Sequence, residues 1–304
     1  MTSSRQPFNT GMALVAQIGI LLGLFFVMLI ILGTFSSLLP SMGIAPRSQS
    51  LIISAAQAIL VFVIPPYVTG YYVNRYPVKF LRLNIGISFS SLITVIGGFI
   101  IGLPFLNQVI NWNEHLVLPE GLSQIEEGLR AMEDAAKAAT DVLLETTTIG
   151  GLITGILVIG FLTGLGEEMF FRGGFQRLLT YNGINHHISI WSVAVLFSLM
   201  HFQFYGFIPR VLLGAFFGYL LYWSGSLWVS VFAHALNNSM VVVCVWLQKR
   251  GIVDIDIENW GVTTGFPWIA IICFLLLICF LYVMRKVISQ ESIGRKGYRM
   301  KGRT

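Results

Sequence analysis

Long apolar runs fill most of the chain, separated by short polar turns. Eight of them, at residues 12–39, 50–73, 86–110, 149–180, 188–206, 208–223, 226–247 and 266–284, reach or approach the about 20 residues that a helix needs to cross a bilayer. The pattern predicts an all-α polytopic membrane protein of about eight transmembrane helices. Pro65 and Pro66 fall inside the second run and must kink or break it, which a bundle tolerates where neighbours satisfy the freed backbone groups. Between the third and fourth runs the pattern changes. Leu122, Ile125, Leu129, Met132 and Ala136 recur at helical spacing, with Glu126, Glu127, Glu133 and Asp134 on the opposite face, so an amphipathic surface helix is expected there. Its acidic polar face disfavours an anionic membrane surface, and packing on the protein's own spans is the expectation, with a lid over a site as the second reading. The chain divides into 1–147, three spans plus this helix; 148–247, the core spans; and 248–304, the last span and a basic tail.

Composition sharpens the class. Of 304 residues 55% are hydrophobic and 11% charged, with a mean hydropathy of +0.77, which excludes an ordinary soluble domain. The net charge of +5 would suggest a nucleic-acid partner in a soluble protein. Here the basic residues collect in the tail (Arg285, Lys286, Arg295, Lys296, Arg299, Lys301, Arg303) and after the second run (Arg75, Lys79, Arg82), as cytoplasmic segments do. No nucleic acid is expected, and the bilayer is the partner. Eight of the fourteen acids lie between Glu114 and Glu145, and Asp254, Asp256 and Glu258 precede the last run, on the opposite face. Both termini are therefore expected in the cytoplasm. Cys244, Cys273 and Cys279 lie in apolar runs without CxxC spacing, so they read as packing residues.

Charge inside a span is costly, and it marks function. The fourth run contains Gly164-Leu165-Gly166-Glu167-Glu168-Met169-Phe170-Phe171-Arg172. Glu168 and Arg172 are four apart with the acid on the N-terminal side, the favourable order for a helical ion pair, which leaves Glu167 as a surplus acid. A carboxylate in an apolar, partly wet cavity is a stronger base than one in water, so Glu167 is the first candidate for chemistry. The bland reading, a neutralised knot that only fixes packing, does not account for the surplus acid. Of five histidines, His115, His186 and His187 fall in loops, while His201 and His234 fall inside apolar runs. Phe197 shares a helix face with His201, and Asn238 with His234. Counted at about 1.5 Å per residue from the turn at 181–187, Glu167 and His201 lie at similar depth on antiparallel helices, and His234 comes close to it. An acid, two imidazoles and an amide at one depth can polarise water and stabilise an oxyanion, which peptide hydrolysis requires.

Glu-Glu-x-x-x-Arg at 167–172, Phe-x-x-x-His at 197–201 and His-x-x-x-Asn at 234–238 together resemble the CPBP family of CAAX prenyl proteases and bacteriocin-processing enzymes. The resemblance covers about 150–245 and implies an eight-span helical fold with an intramembrane peptidase site, in the cytoplasmic membrane of a bacterium. By similarity, Glu167 and His201 would activate the attacking water and His234 and Asn238 would form the oxyanion hole, with Glu168, Arg172 and Phe197 in support. The substrate would be a membrane-associated peptide or protein. The family's metalloprotease label makes zinc on Glu167, His201 and His234 an alternative, although the favoured mechanism requires no cofactor. Two other functions stay open on the residues: a non-catalytic immunity or membrane-partner protein, and a proton-coupled transporter. A serine dyad of Ser224 and His234 is weaker, since Ser224 is expected in a turn.

Overall fold

The computed structural model describes residues 11–254, 260–263 and 265–301, with side chains to residue 290 in the last helix. Asp256, Glu258 and Arg303 lie outside the described residues, as do the side chains of Arg295, Lys296, Arg299 and Lys301. The long helices are α1 (Leu14–Met42), α2 (Pro46–Asn74), α3 (Phe89–Glu114), α4 (Ser123–Leu143), α5 (Ile149–Tyr181), α6 (His186–Leu199), α7 (Phe207–Ser224, preceded by a 3₁₀ turn at Phe204–Gly206), α8 (Leu227–Lys249) and α9 (Trp268–Lys301). Among the described residues there is no strand. All eight expected runs are helical. Seven are long and apolar enough to cross a membrane, and the fifth is the shorter α6 of 14 residues, about 21 Å against a hydrocarbon core of about 30 Å.

The fifth run does not continue as helix to residue 206. It stops at Leu199, and Phe202 takes the left-handed conformation with φ 54°. His201 therefore stands in the turn beyond α6 and not inside a span. The double proline in α2 is absorbed without a break: wide i→i+5 turns at Gln57–Val63 lead into Ile64–Asn74, so Pro65 and Pro66 occupy its first turn, where missing N–H groups cost least.

Close helix approach sets the position of the polar centre. A Cβ on Gly164 would lie 3.1 Å from the backbone nitrogen of Ala235, and one on Gly160 would lie 2.2 Å from Ser239 Oγ. This small-x-x-x-small seam lets α5 and α8 approach backbone to backbone, the way membrane helices gain packing without a hydrophobic drive between them. One turn past Gly164 on the same seam come Glu167 and Glu168. A second seam joins α7 to α6, where Gly214 faces Ala194 and Gly218 faces Ile190. Around these seams Phe25, Phe62, Phe170, Phe171, Phe175 and Phe197 form the buried aromatic core.

The amphipathic helix is present as α4, but its contacts are sparse. It touches α2 and the 204–206 turn, none of its residues is fully buried, and Leu122, Ile125 and Met132 remain exposed.

Candidate active site

The Glu168 side chain is fully buried and accepts from two helices at once. Its Oε1 takes an N–H from Arg172 Nη1 at 2.8 Å and the Nδ1–H of His234 at 2.8 Å. The first of these is the predicted four-residue pair, formed although Met169–Gln176 runs in wide i→i+5 turns. The second joins α5 to α8. Arg172, also fully buried, donates through Nη2 to the Gly214 carbonyl at 2.8 Å. Its guanidinium lies 4.8 Å from the Phe197 ring centre and 5.4 Å from that of Phe217, a desolvated cation flanked by π faces. Glu168 Oε2 and Arg172 Nε lack hydrogen-bond partners among the described residues.

His234 is held on every side. Its ring stacks on Phe217 at 4.9 Å with an interplanar angle of 19° and meets Phe197 edge-on at 5.9 Å. A carboxylate accepts at Nδ1, so Nδ1 carries the proton and Nε2 faces outward. There the surplus acid stands: Glu167 Oε2 is 3.7 Å from His234 Nε2, and the Glu167 side chain is 14% exposed. That gap exceeds a direct hydrogen bond and suits one bridging oxygen.

His201 is aligned by the same logic. Its Nδ1 lies 2.7 Å from the Phe197 carbonyl, an obligatory acceptor, so Nδ1 donates and the neutral ring keeps its lone pair on Nε2. The Phe197 and His201 rings meet at 4.8 Å. Phe197 thus touches both imidazoles and the Arg172 cation. Asn238, one turn along α8 from His234, donates one amide N–H to the Ile159 carbonyl on α5 at 3.2 Å and accepts from Asn237 at 3.3 Å. Its second N–H is not engaged in either bond.

Ser224 is spent on its own turn: its hydroxyl donates to the Leu220 carbonyl at 2.6 Å and accepts the Ser226 N–H at 3.0 Å. No three His, Cys, Asp or Glu side chains among the described residues form a metal-holding group. In His201 and His234 of the zinc set, Nδ1 is committed to an oxygen acceptor, which leaves Nε2 as the nitrogen that would face a metal beside Glu167. Cys244 and Cys273 are half-buried and Cys279 exposed, all as free thiols.

The sequence reading passed over Arg210, in the first turn of α7. Its Nη1 donates to the Gln203 carbonyl at 3.1 Å, in the turn that also carries His201. The signal was available: Phe207-Ile208-Pro209-Arg210-Val211-Leu212-Leu213 is a lone cation in an apolar run, the same feature that singled out Glu167.

An integral multi-pass helical membrane protein with a buried acid–imidazole centre joining its spans is the class that this fold and site define. Residues 149–240, under a third of the chain, match the family described as Type II CAAX prenyl endopeptidase Rce1-like, so the likeness is one of this core. The matched stretch contains all of Glu167, Glu168, Arg172, Phe197, His201, His234 and Asn238. No curated protein and no solved structure matches the chain at significance.

Proposed function

We propose that the protein is an intramembrane endopeptidase that hydrolyses a peptide bond in a membrane-associated peptide or protein. One observation carries the reading: two adjacent acids are placed for different work. Glu168 is consumed by Arg172 and His234, while Glu167 is partly exposed and stands 3.7 Å from His234 Nε2.

In this reading a water is held between Glu167 and the free Nε2 of His201. Glu167 takes its proton while the water oxygen adds to the scissile carbonyl carbon. The carbonyl oxygen becomes an oxyanion that His234 Nε2–H and the second amide N–H of Asn238 receive. With Nδ1–H given to Glu168, the Nε2–H exists only in the doubly protonated ring, so the centre holds two anions and two cations before attack. Afterwards the proton has neutralised Glu167 and the oxyanion replaces its charge, leaving the centre neutral throughout. The C–N bond then breaks as the proton passes to the leaving amine. No step is routed through a metal. Prenylated proteins and leader peptides both fit a polar centre inside lipid, and the basic tail and the Arg75–Arg82 loop would place both termini in the cytoplasm.

The test compares membrane-peptide profiles of cells carrying the unaltered protein with those carrying Glu167→Gln or His201→Ala. Products present only with the unaltered protein, and a rate loss of about 10²–10⁴ for Glu167→Gln, are expected. Both variants should keep the parent's thermal unfolding. Cleavage surviving Glu167→Gln removes the base assignment. Identical profiles with retained biological activity select the non-catalytic partner reading, and proton-dependent uptake without cleavage selects the transporter.

A further inference from the structure

An arginine in a membrane span needs an anion, and the one nearest Arg210 is on a helix outside the spans. Arg210 Nη2 is 4.0 Å from Glu133 Oε1 on α4, an ion-pair distance beyond hydrogen-bond length. The same Glu133 oxygen accepts from Gln203 Nε2 at 2.9 Å. Its other oxygen, Oε2, is buried with no hydrogen-bond partner among the described residues. So Arg210 faces an acid that it does not grip, and the acid is itself half satisfied.

The guanidinium has a built seat. A Cβ on Gly206 would lie 2.1 Å from Arg210 Nη2, so the missing side chain at 206 leaves the room that the guanidinium fills. The Gln203 carbonyl fixes Nη1. The turn that carries Gln203 and Gly206 is the one that carries His201, and it is anchored on α3 by Asn113, which donates to the Phe204 carbonyl at 3.2 Å and accepts the Ile208 N–H at 2.9 Å. The cation is therefore fixed relative to the candidate catalytic residues, while its anion is held by a helix with no fully buried residue.

We propose that Arg210, with Gln203, is a carboxylate-binding subsite at the rim of the candidate active site, and that Glu133 is a resident stand-in which an incoming peptide carboxylate displaces. The occupant's chemistry is read from the stand-in: the group seated there now is a carboxylate, and a guanidinium fork matches that group with two parallel bonds. Gln203 and His201 share one turn, which puts the bound carboxylate on the His201 side of the proposed point of hydrolysis. Peptides with an anion a few residues from the scissile bond are thereby selected. Either a free C-terminus or an acidic side chain would supply this group. The subsite rests on the hydrolase reading for its purpose and not for its existence.

The test measures binding to the full-length protein in zwitterionic bilayers. The probes are N-decanoyl-Leu-Leu as the free acid, its C-terminal amide, and N-decanoyl-Leu-Asp amide. We expect the free acid to bind at least about tenfold more tightly than the Leu-Leu amide, the difference that one charge-assisted fork would make. Arg210→Gln should erase that preference by weakening only the acid. Glu133→Gln, which keeps the side chain's shape on a helix with no fully buried residue, should tighten the acid severalfold by removing its competitor. A Leu-Asp amide that binds as tightly as the free acid assigns the site to acidic side chains, and one that binds as weakly as the Leu-Leu amide assigns it to C-termini. Equal binding of acid and amide by the unaltered protein overturns the subsite, as does a preference that survives Arg210→Gln. The hydrolase reading fails separately, if Glu167→Gln leaves cleavage intact, and that result does not move the acid-to-amide ratio.

Discussion

Two polar clusters border the candidate catalytic residues, one beside Glu167 and one at the turn that carries His201, and they are built in opposite ways. The inner one, Glu168–Arg172–His234, is sealed, joined by bonds of 2.8 Å and carried by helices whose glycines bring the backbones together. The outer one, Glu133–Gln203–Arg210, is partly exposed, with bonds of 2.9 and 3.1 Å and one contact of 4.0 Å, and its acid sits on α4. The inner cluster costs desolvation, which only good geometry offsets, and what it yields is a fixed orientation for His234. The outer cluster forfeits little when it opens. Rigidity is concentrated where an oxyanion would need donors already in place, and looseness where a chain would need to enter.

The largest effect should come from unbalancing the inner cluster. Glu168→Leu strands the Arg172 guanidinium in a fully buried site, and loss of one partner of a buried pair costs about 3–5 kcal/mol. The double variant Glu168→Leu, Arg172→Met removes both charges and should recover most of that stability without restoring cleavage, because His234 has lost its Nδ1 acceptor. Thermal unfolding in detergent checks the first half and a peptide-cleavage assay the second. Equal stability of the single and double variants would mean that the pair is not the sealed element described above.

Asn238→Ala comes next and separates support from chemistry. It removes a proposed oxyanion donor, for which a loss of about 10²–10³ in kcat is usual, while KM should hardly change. It also breaks the bond to the Ile159 carbonyl, so the unfolding midpoint has to be measured alongside. A loss confined to stability would return Asn238 to the packing between α5 and α8.

Much of the inner cluster was legible in the sequence because its signal is chemical. Charges and imidazoles in apolar runs stand out, and the four-residue spacing paired Glu168 with Arg172 correctly and left Glu167 over. What the spacing could not assign was the acid that His234 contacts, since adjacent residues on a helix point about 100° apart and the face toward α8 is set by packing. Gly160 and Gly164 held that information, as small residues four apart mark the approaching face. The end of α6 was hidden for another reason. Phe202 adopts a left-handed conformation without being glycine, and an apolar run gives no sign of where its helix stops. Arg210 and Glu133 were each visible, but only the fold brings residues so distant in sequence to one point.

Gly164→Val probes the seam itself. The new side chain would press on the backbone of Ala235, where a Cβ alone already comes within 3.1 Å of the nitrogen, and backbone cannot step aside as a side chain can. Overpacking of this kind costs about 1–3 kcal/mol. It should also lengthen the Glu167–His234 gap, so cleavage should fall further than stability. Cleavage that falls only in proportion to the folded fraction would show that the seam stabilises the fold without positioning the acid.

The smallest effect belongs to the outer helix and is one of pH. The Glu126 carboxylate is held below its ordinary range, first by the Leu118 backbone N–H at 2.9 Å and then by Arg130, whose Nη2 donates to it at 2.8 Å. A carboxylate whose pKa is depressed in the folded state adds stability above its unfolded pKa of about 4.3 and loses it as pH falls through the lower folded value. The N-terminal end of α4 should therefore stay anchored across neutral pH and loosen only in acid, at the exposed end of a helix with no fully buried residue. Amide exchange over residues 116–130 should accelerate below about pH 4 relative to α5, after correction for intrinsic rates, and Glu126→Gln should show the faster exchange at neutral pH with the acid step gone. An acid step that persists in Glu126→Gln would move the anchor elsewhere on α4, with Glu133 the next carboxylate to replace.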